Sequence, residues 1–165
     1  MKILVLLIVL ALCLAGCSAP KDLETVSDVL DLQVVATPKK LEVAVPEDAT
    51  ACTMDSGEGS AWLCDGFTLT VQTLEGGDLN RSLQHLTGFT EDQLTVMQTR
   101  QDDLKRREFV WCAAGEGGDQ MCRGLLLDDG SNHYAVCVMA DAESAGKLTQ
   151  TWQKLFDSVT LTDTD

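Results

Sequence analysis

Basic residues are scarce in this chain: 12 lysines and arginines stand against 26 aspartates and glutamates, giving a formal net charge of −14. A surface that acidic is repelled by nucleic acid and by anionic lipid headgroups, which argues against both as partners. The acids are scattered, from Asp22 and Glu24 through Asp102 and Asp103 to Asp163 and Asp165, so they read as a solubilising surface and not as a recognition tail. Histidine is limited to His85 and His133, and neither stands at ligand spacing from the other or from a cysteine. No Cys-x-x-Cys occurs, which leaves a thioredoxin-type redox centre unsupported. The glycine-rich stretches at 57–59 and 115–118 lack the lysine and the strand-to-helix context of a phosphate cradle. No serine lies in a nucleophile-elbow motif. Asp128-Asp129-Gly130-Ser131-Asn132 begins like a calcium loop, but the twelfth position is Met139 where a glutamate is required. Glu58 and Glu116, each between glycines at a turn tip, form a carboxylate pair only if the two tips meet. No catalytic residue, metal or cofactor is assigned.

The N-terminus carries more information. Lys2 precedes an apolar run, Ile3 to Leu14, that is too short to cross a bilayer, where about 20 residues are wanted. Small residues then lead into a cysteine, as at the end of a secretory signal peptide. Leu14-Ala15-Gly16-Cys17 resembles the lipobox of bacterial lipoprotein precursors. The resemblance implies cleavage between Gly16 and Cys17, a diacylglyceryl thioether on the Cys17 sulfur, and an acylated (palmitate-type) amine. Two or more acyl chains hold a protein at a membrane stably. The implied organisation is a cleaved leader over 1–16, a lipidated tether over 17–29, and one domain over 30–165. The implied location is the bacterial cell envelope, lipid-anchored and facing away from the cytoplasm.

From residue 30 onward the apolar pattern has mostly period two, the mark of half-buried strands. Leu30, Leu32, Val34 and Ala36 alternate with polar neighbours, as do Leu41, Val43 and Val45, and Phe67, Leu69 and Val71. Asp78 is a candidate N-cap for a helix carrying Leu79, Leu83 and Leu86, with Gly88 as its stop. Thr90-Glu91-Asp92-Gln93 reads as a capping box, with Phe89 and Leu94 as a hydrophobic staple. The segment Leu94–Arg100 fits either a helix or a strand. Strands are expected at 106–114, 120–127 and 133–140. A final helix capped by Asp141 places Leu148, Trp152, Leu155 and Val159 on one stripe, with Phe156 beside them. The fold class is α+β: an antiparallel sheet flanked by helices, with the C-terminal amphipathic helix packed on it.

Five of the seven cysteines remain after Cys13 leaves with the leader and Cys17 takes the lipid: Cys52, Cys64, Cys112, Cys122 and Cys137. An exported chain favours disulfides. Cys52 and Cys64 are symmetric about Glu58, and Cys112 and Cys122 about Gly117, so each pair is expected directly cross-strand in a hairpin. The same symmetry sets Met54 opposite Trp62 and Trp111 opposite Arg123. Cys137 aligns with Cys122 if Asp129-Gly130 is a two-residue turn, and falls on the other face if the turn is one residue longer. The simpler outcome for Cys137 is a buried, unpaired thiol. A metal site from the Cys112, Cys122 and Cys137 row lacks a fourth ligand.

Phe109-Val110-Trp111, Gly115-Glu116-Gly117, His133-Tyr134-Ala135-Val136 and the run from Trp152 to Leu161 with Phe156-Asp157-Ser158 resemble the PsbP-like class of small lipoproteins and secreted domains. That resemblance implies an antiparallel sheet flanked by helices and a non-catalytic accessory or binding role. The expected function is therefore a lipid-anchored module that binds an envelope protein or a small ligand. The alternatives are a thiol-based redox enzyme using Cys112, Cys122 and Cys137, or a structural spacer at the membrane surface.

Overall fold

The computed structural model describes residues 37–54, 59–115 and 117–164. The expected leader, Gly16, the expected lipidation site Cys17, the strand expected from Leu30 to Ala36, and Glu58 and Glu116 lie outside the described residues. Val35–Asp165 forms one compact unit with its own core.

The elements run β1 (Lys40–Glu42), β2 (Thr50–Cys52), β3 (Ser60–Cys64), β4 (Phe67–Glu75), α1 (Leu79–Thr87), a single 3-10 turn (Glu91–Gln93), β5 (Thr95–Gln101), β6 (Leu104–Gly115), β7 (Gly118–Asp128), β8 (Asn132–Asp141), α2 (Ala142–Asp157) and β9 (Thr160–Thr162). Seven strands make one sheet in the order β2-β3-β4-β8-β7-β6-β5, and every ladder in it is antiparallel. β1 and β9 form a separate antiparallel pair. The fold class is α+β, as the pattern implies, and the C-terminal helix packs on the sheet.

The period-two pattern divides the sheet into two faces. One carries Phe67, Leu69, Leu125, Leu127, Tyr134, Val136 and Val138, and α2 covers it with Ala145, Trp152, Leu155 and Phe156. The other carries Phe109 and Leu126, and α1 covers it with Leu83, Leu79 and Leu86. The cap signals of α1 are realised as read, whereas Asp141 occupies the N-cap position of α2 without a side-chain hydrogen bond to the helix. Asp78 accepts from the Arg81 amide at 3.1 Å, and Gly88 ends α1 in the left-handed conformation that glycine alone adopts without strain. The Thr90–Gln93 capping box closes only the 3-10 turn. The ambiguous Leu94–Arg100 segment resolves as strand from Thr95, because β6 offers it a full ladder from Thr95↔Val110 to Gln101↔Leu104, and Leu94 ends the 3-10 turn. Of the Leu41–Val45 run, only Leu41 and Glu42 are strand, within β1 paired to β9.

The hairpin registers differ from the symmetric ones. Gly115 pairs with Gly118, so the β6–β7 ladder is centred between residues 116 and 117 and sets Trp111 against Cys122 and Cys112 against Met121. This one-residue slip moves Cys112 and Cys122 to opposite faces, which forbids the expected cross-strand bond between them. In β2–β3, Cys52 opposes Ala61 and Trp62 opposes Ala51, not Met54. That displacement is an odd number of residues, so Cys52 and Cys64 also face opposite ways. All five described thiols are free. The β7–β8 turn has its tip at Gly130-Ser131, where the Asp129 amide donates to Asn132 O, and Cys137 opposes Gly124. The shift there is even, so Cys122 and Cys137 keep a common face as diagonal neighbours.

Candidate binding site

Three groupings of side chains have the chemistry to form a site. The first is a buried polar cluster beneath α1. Ser82 projects from α1 to the start of β8, where Ser82 Oγ and His133 Nδ1 are hydrogen-bonded at 2.7 Å. Asp128, at the end of β7, accepts from Arg107 Nη1 at 3.0 Å and from the Gly130 amide at 2.8 Å, with Lys105 Nζ at 3.7 Å. These residue types are those of a hydrolytic triad, but the geometry is not. His133 Nε2 is 3.9 Å from Asp128 Oδ2, beyond hydrogen-bond reach, and the carboxylate is committed to Arg107. Burial pushes the His133 imidazole below its ordinary range, further than the Asp128 charge restores it. Burial by itself would raise the Asp128 carboxyl, but the Arg107 hydrogen bond, the Gly130 amide and the neighbouring cations outweigh it and hold it low. The cluster pins α1 to the β7–β8 edge. It links Ser82, Asp128 and His133, none of which the sequence motifs single out together.

Both shifts carry a pH signature. A histidine held neutral in the fold takes up its proton more readily in the unfolded chain, so stability falls as pH drops below about 6.5. A carboxylate held low loses its stabilisation as pH falls below about 4. Urea midpoints are therefore expected to be level above pH 7, to decline through pH 6 to 5, and to decline again below pH 4. His133→Asn should remove the first decline and leave the second.

The second grouping is the thiols. Cys122 is fully buried and Cys137 nearly so, on the α1 face between Trp111, Gly124 and Met139. Desolvation pushes Cys122 up to about 11 and Cys137 up to about 12, so neither is a thiolate at neutral pH. Cys112 is exposed on the opposite face. The row required for thiol chemistry is thus divided by the sheet and protonated where it is buried. Cys52 sits on the edge strand β2 and Cys64 at the end of β3, next to it, and burial raises Cys64 too.

The third grouping is an apolar groove of about 460 Å³ on the α2 face. Val110 and Met121 of β6 and β7 form one wall, and Ala142, Ala145, Gly146 and Thr149 of α2 form the other, with Trp152 at its end. Val110 is 46% exposed, unusual for a β-branched residue in an inner strand. Arg123 also lines the groove, but its guanidinium is held by Glu108 and by Gln153 and lies 5.1 Å over the Phe156 ring. Its charge is therefore already met, and its stem is what adds to the apolar wall. Two features of this groove are unfavourable in the protein alone. Gly146 lies inside a 16-residue helix, where glycine costs roughly 1 kcal/mol against alanine. A Cβ built on it meets nothing within 4 Å, so no contact among the described residues requires the glycine. Trp152 Nε1 is buried without a hydrogen-bond partner among the described residues, a cost of about 1–3 kcal/mol. Local rules broken together at one surface depression mark a site. The sequence contained the signal, since Gly146 interrupts the clearest helix, but the stripe of Leu148 and Trp152 accounted for that segment as core.

The strand order and flanking helices define an α+β domain built on an antiparallel sheet. The solved structure of LpqN, involved in cell envelope biogenesis of Mycobacterium tuberculosis, shares this fold with a TM-score of 0.51 at 11% identity, over 77% of this chain and 87% of that one. Cyanobacterial PsbP (CyanoP) from Synechocystis sp. PCC 6803 shares it with a TM-score of 0.54 at 7% identity, over 76% of this chain and 95% of that one. No family model and no curated protein matches the chain. Among the described residues, no helix is long and apolar enough to cross a membrane.

Proposed function

We propose that this chain is a lipid-anchored, extracytoplasmic, non-catalytic module that binds an apolar component of the cell envelope in the groove between α2 and the β6–β7 strands. The observation that carries this reading is the coincidence of Gly146 and the unpaired Trp152 indole on one apolar groove. A volume of about 460 Å³ lies in the range of small-molecule sites, and the lining suits an alkyl or acyl chain. The lipobox-like leader supports the location, and the envelope role stated for LpqN agrees with it. The buried, protonated thiols and the committed Asp128 favour this reading over the thiol-enzyme one.

Gly146→Leu tests it. The new side chain enters open space, so the helix is expected to gain about 0.5–1 kcal/mol in urea denaturation. It also fills the groove, so binding of a fluorescent fatty-acyl probe should weaken by about tenfold or more. A variant that is both more stable and unimpaired in binding would contradict the assignment of the groove.

A further inference from the structure

β5 is an edge strand with one usual edge defence, the charge of Arg100, and none of the others. Its seven residues, Thr95-Val96-Met97-Gln98-Thr99-Arg100-Gln101, contain no proline, no glycine, no lysine and no acid, although acids are abundant in the chain. The opposite edge of the sheet, β2, is kept to three residues. Long edges are normally blunted by charge, proline or a bulge, because their outward N–H and C=O groups template pairing with another strand. β5 pairs with β6 alone among the described residues, and five of its seven side chains are exposed. Met97, one residue from its centre, is 57% exposed, more than any other large apolar side chain among the described residues.

We infer that β5 is a homodimer interface, in which two copies join their sheets by antiparallel β5–β5 pairing about a two-fold axis at Gln98. An isologous contact requires the strand to complement itself. The register centred on Gln98 is the one that overlaps all seven residues, and it opposes Thr95 to Gln101, Val96 to Arg100 and Met97 to Thr99 of the other copy. Arg100, the single charge on the strand, therefore never faces itself. The two Met97 side chains become diagonal neighbours on one face, within reach of each other, and cover the most exposed apolar surface of each copy. The net charge of each copy opposes association at long range, so the dimer tightens as salt rises through screening. This interface is separate from the α2 groove, and its failure would leave the binding reading untouched.

The test uses a chain spanning residues 35–165, the compact unit. Sedimentation velocity is expected to show a concentration-dependent monomer–dimer equilibrium that strengthens with salt. Met97→Glu should weaken it about tenfold or more while the melting temperature of the monomer stays unchanged. In a Cys112→Ser background, Gln98→Cys should form an inter-chain disulfide under mild oxidation by a copper–phenanthroline complex and oxygen, whereas Thr95→Cys should not, because the two Thr95 positions lie at opposite ends of the paired strands. A protein that stays monomeric up to about 1 mM would overturn the proposal. So would a dimer indifferent to Met97→Glu, or one in which Thr95→Cys cross-links as readily as Gln98→Cys.

Discussion

Asp128→Ala is expected to destabilise the domain by about 3–5 kcal/mol, the largest effect of any single polar substitution. The carboxylate takes Arg107 Nη1 at 3.0 Å and the Gly130 amide at 2.8 Å, and Lys105 and His133 lie near it. Both it and Arg107 are buried, and Arg107 Nε already lacks a partner among the described residues. Removing the acid strands a desolvated guanidinium, which costs more than the pair contributed. The test of that logic is the double variant Arg107→Met/Asp128→Leu, which removes both charges and should recover much of the loss. Urea denaturation at pH 7 reads both. If Asp128→Ala costs less than about 1 kcal/mol, the cluster does not pin α1 as described.

Gly124→Ala comes next, at about 2–3 kcal/mol, through overpacking. Gly124 opposes Phe109 across the β6–β7 ladder, and the Phe109 ring lies over it. A Cβ at this position would lie 2.5 Å from Phe109 Cζ and would clash with Cε2 as well. Phe109 is buried against Leu83 and Leu126 and stacks on Trp111 at 5.6 Å between ring centres, so it has nowhere to retreat. This is aromatic cover of a strand glycine, a device that also fixes register. Phe109→Leu should relieve the clash, so the Gly124→Ala/Phe109→Leu double variant should lose less than the two single losses together. Strict additivity in denaturant titrations would show that the ring and the glycine do not share the space.

Local signals were legible in the sequence and long-range ones were not. Asp78 and Gly88 delimit α1 because a cap is a contact within one turn of chain. The Leu148, Trp152, Leu155 and Phe156 stripe predicts α2 because its spacing is that of one helix face, while Val159, expected on the same stripe, joins the core from beyond the helix end at Asp157. Register is different. The stretch Gly115-Glu116-Gly117-Gly118-Asp119 permits more than one turn, and composition alone places its centre at Gly117. What selects the observed centre is remote: Phe109 over Gly124, and Cys122 facing Trp111 inside the α1 layer. One residue of slip then reverses every cysteine expectation on that hairpin. Leu94–Arg100 was ambiguous for the same reason, since β6 decides its conformation from outside. The Ser82, Asp128 and His133 cluster draws on three elements, and no local spacing reports it. Its only trace is a serine next to Leu83 on the sheet-facing side of α1. The groove was half visible, in Gly146, but Val110 and Met121 join it only once the β6–β7 register is known.

The measurement that bears most directly on the binding role is a nitrogen-resolved NMR titration of the domain with a short-chain lysophospholipid held below its micelle threshold. The Trp152 indole N–H and the Gly146 and Val110 amides are expected to shift together and to saturate. Their movement should disappear in Gly146→Leu while the amides of β2 and β3 stay still in both proteins. Shifts that fail to saturate, or that centre on other surfaces and persist in Gly146→Leu, would contradict the account.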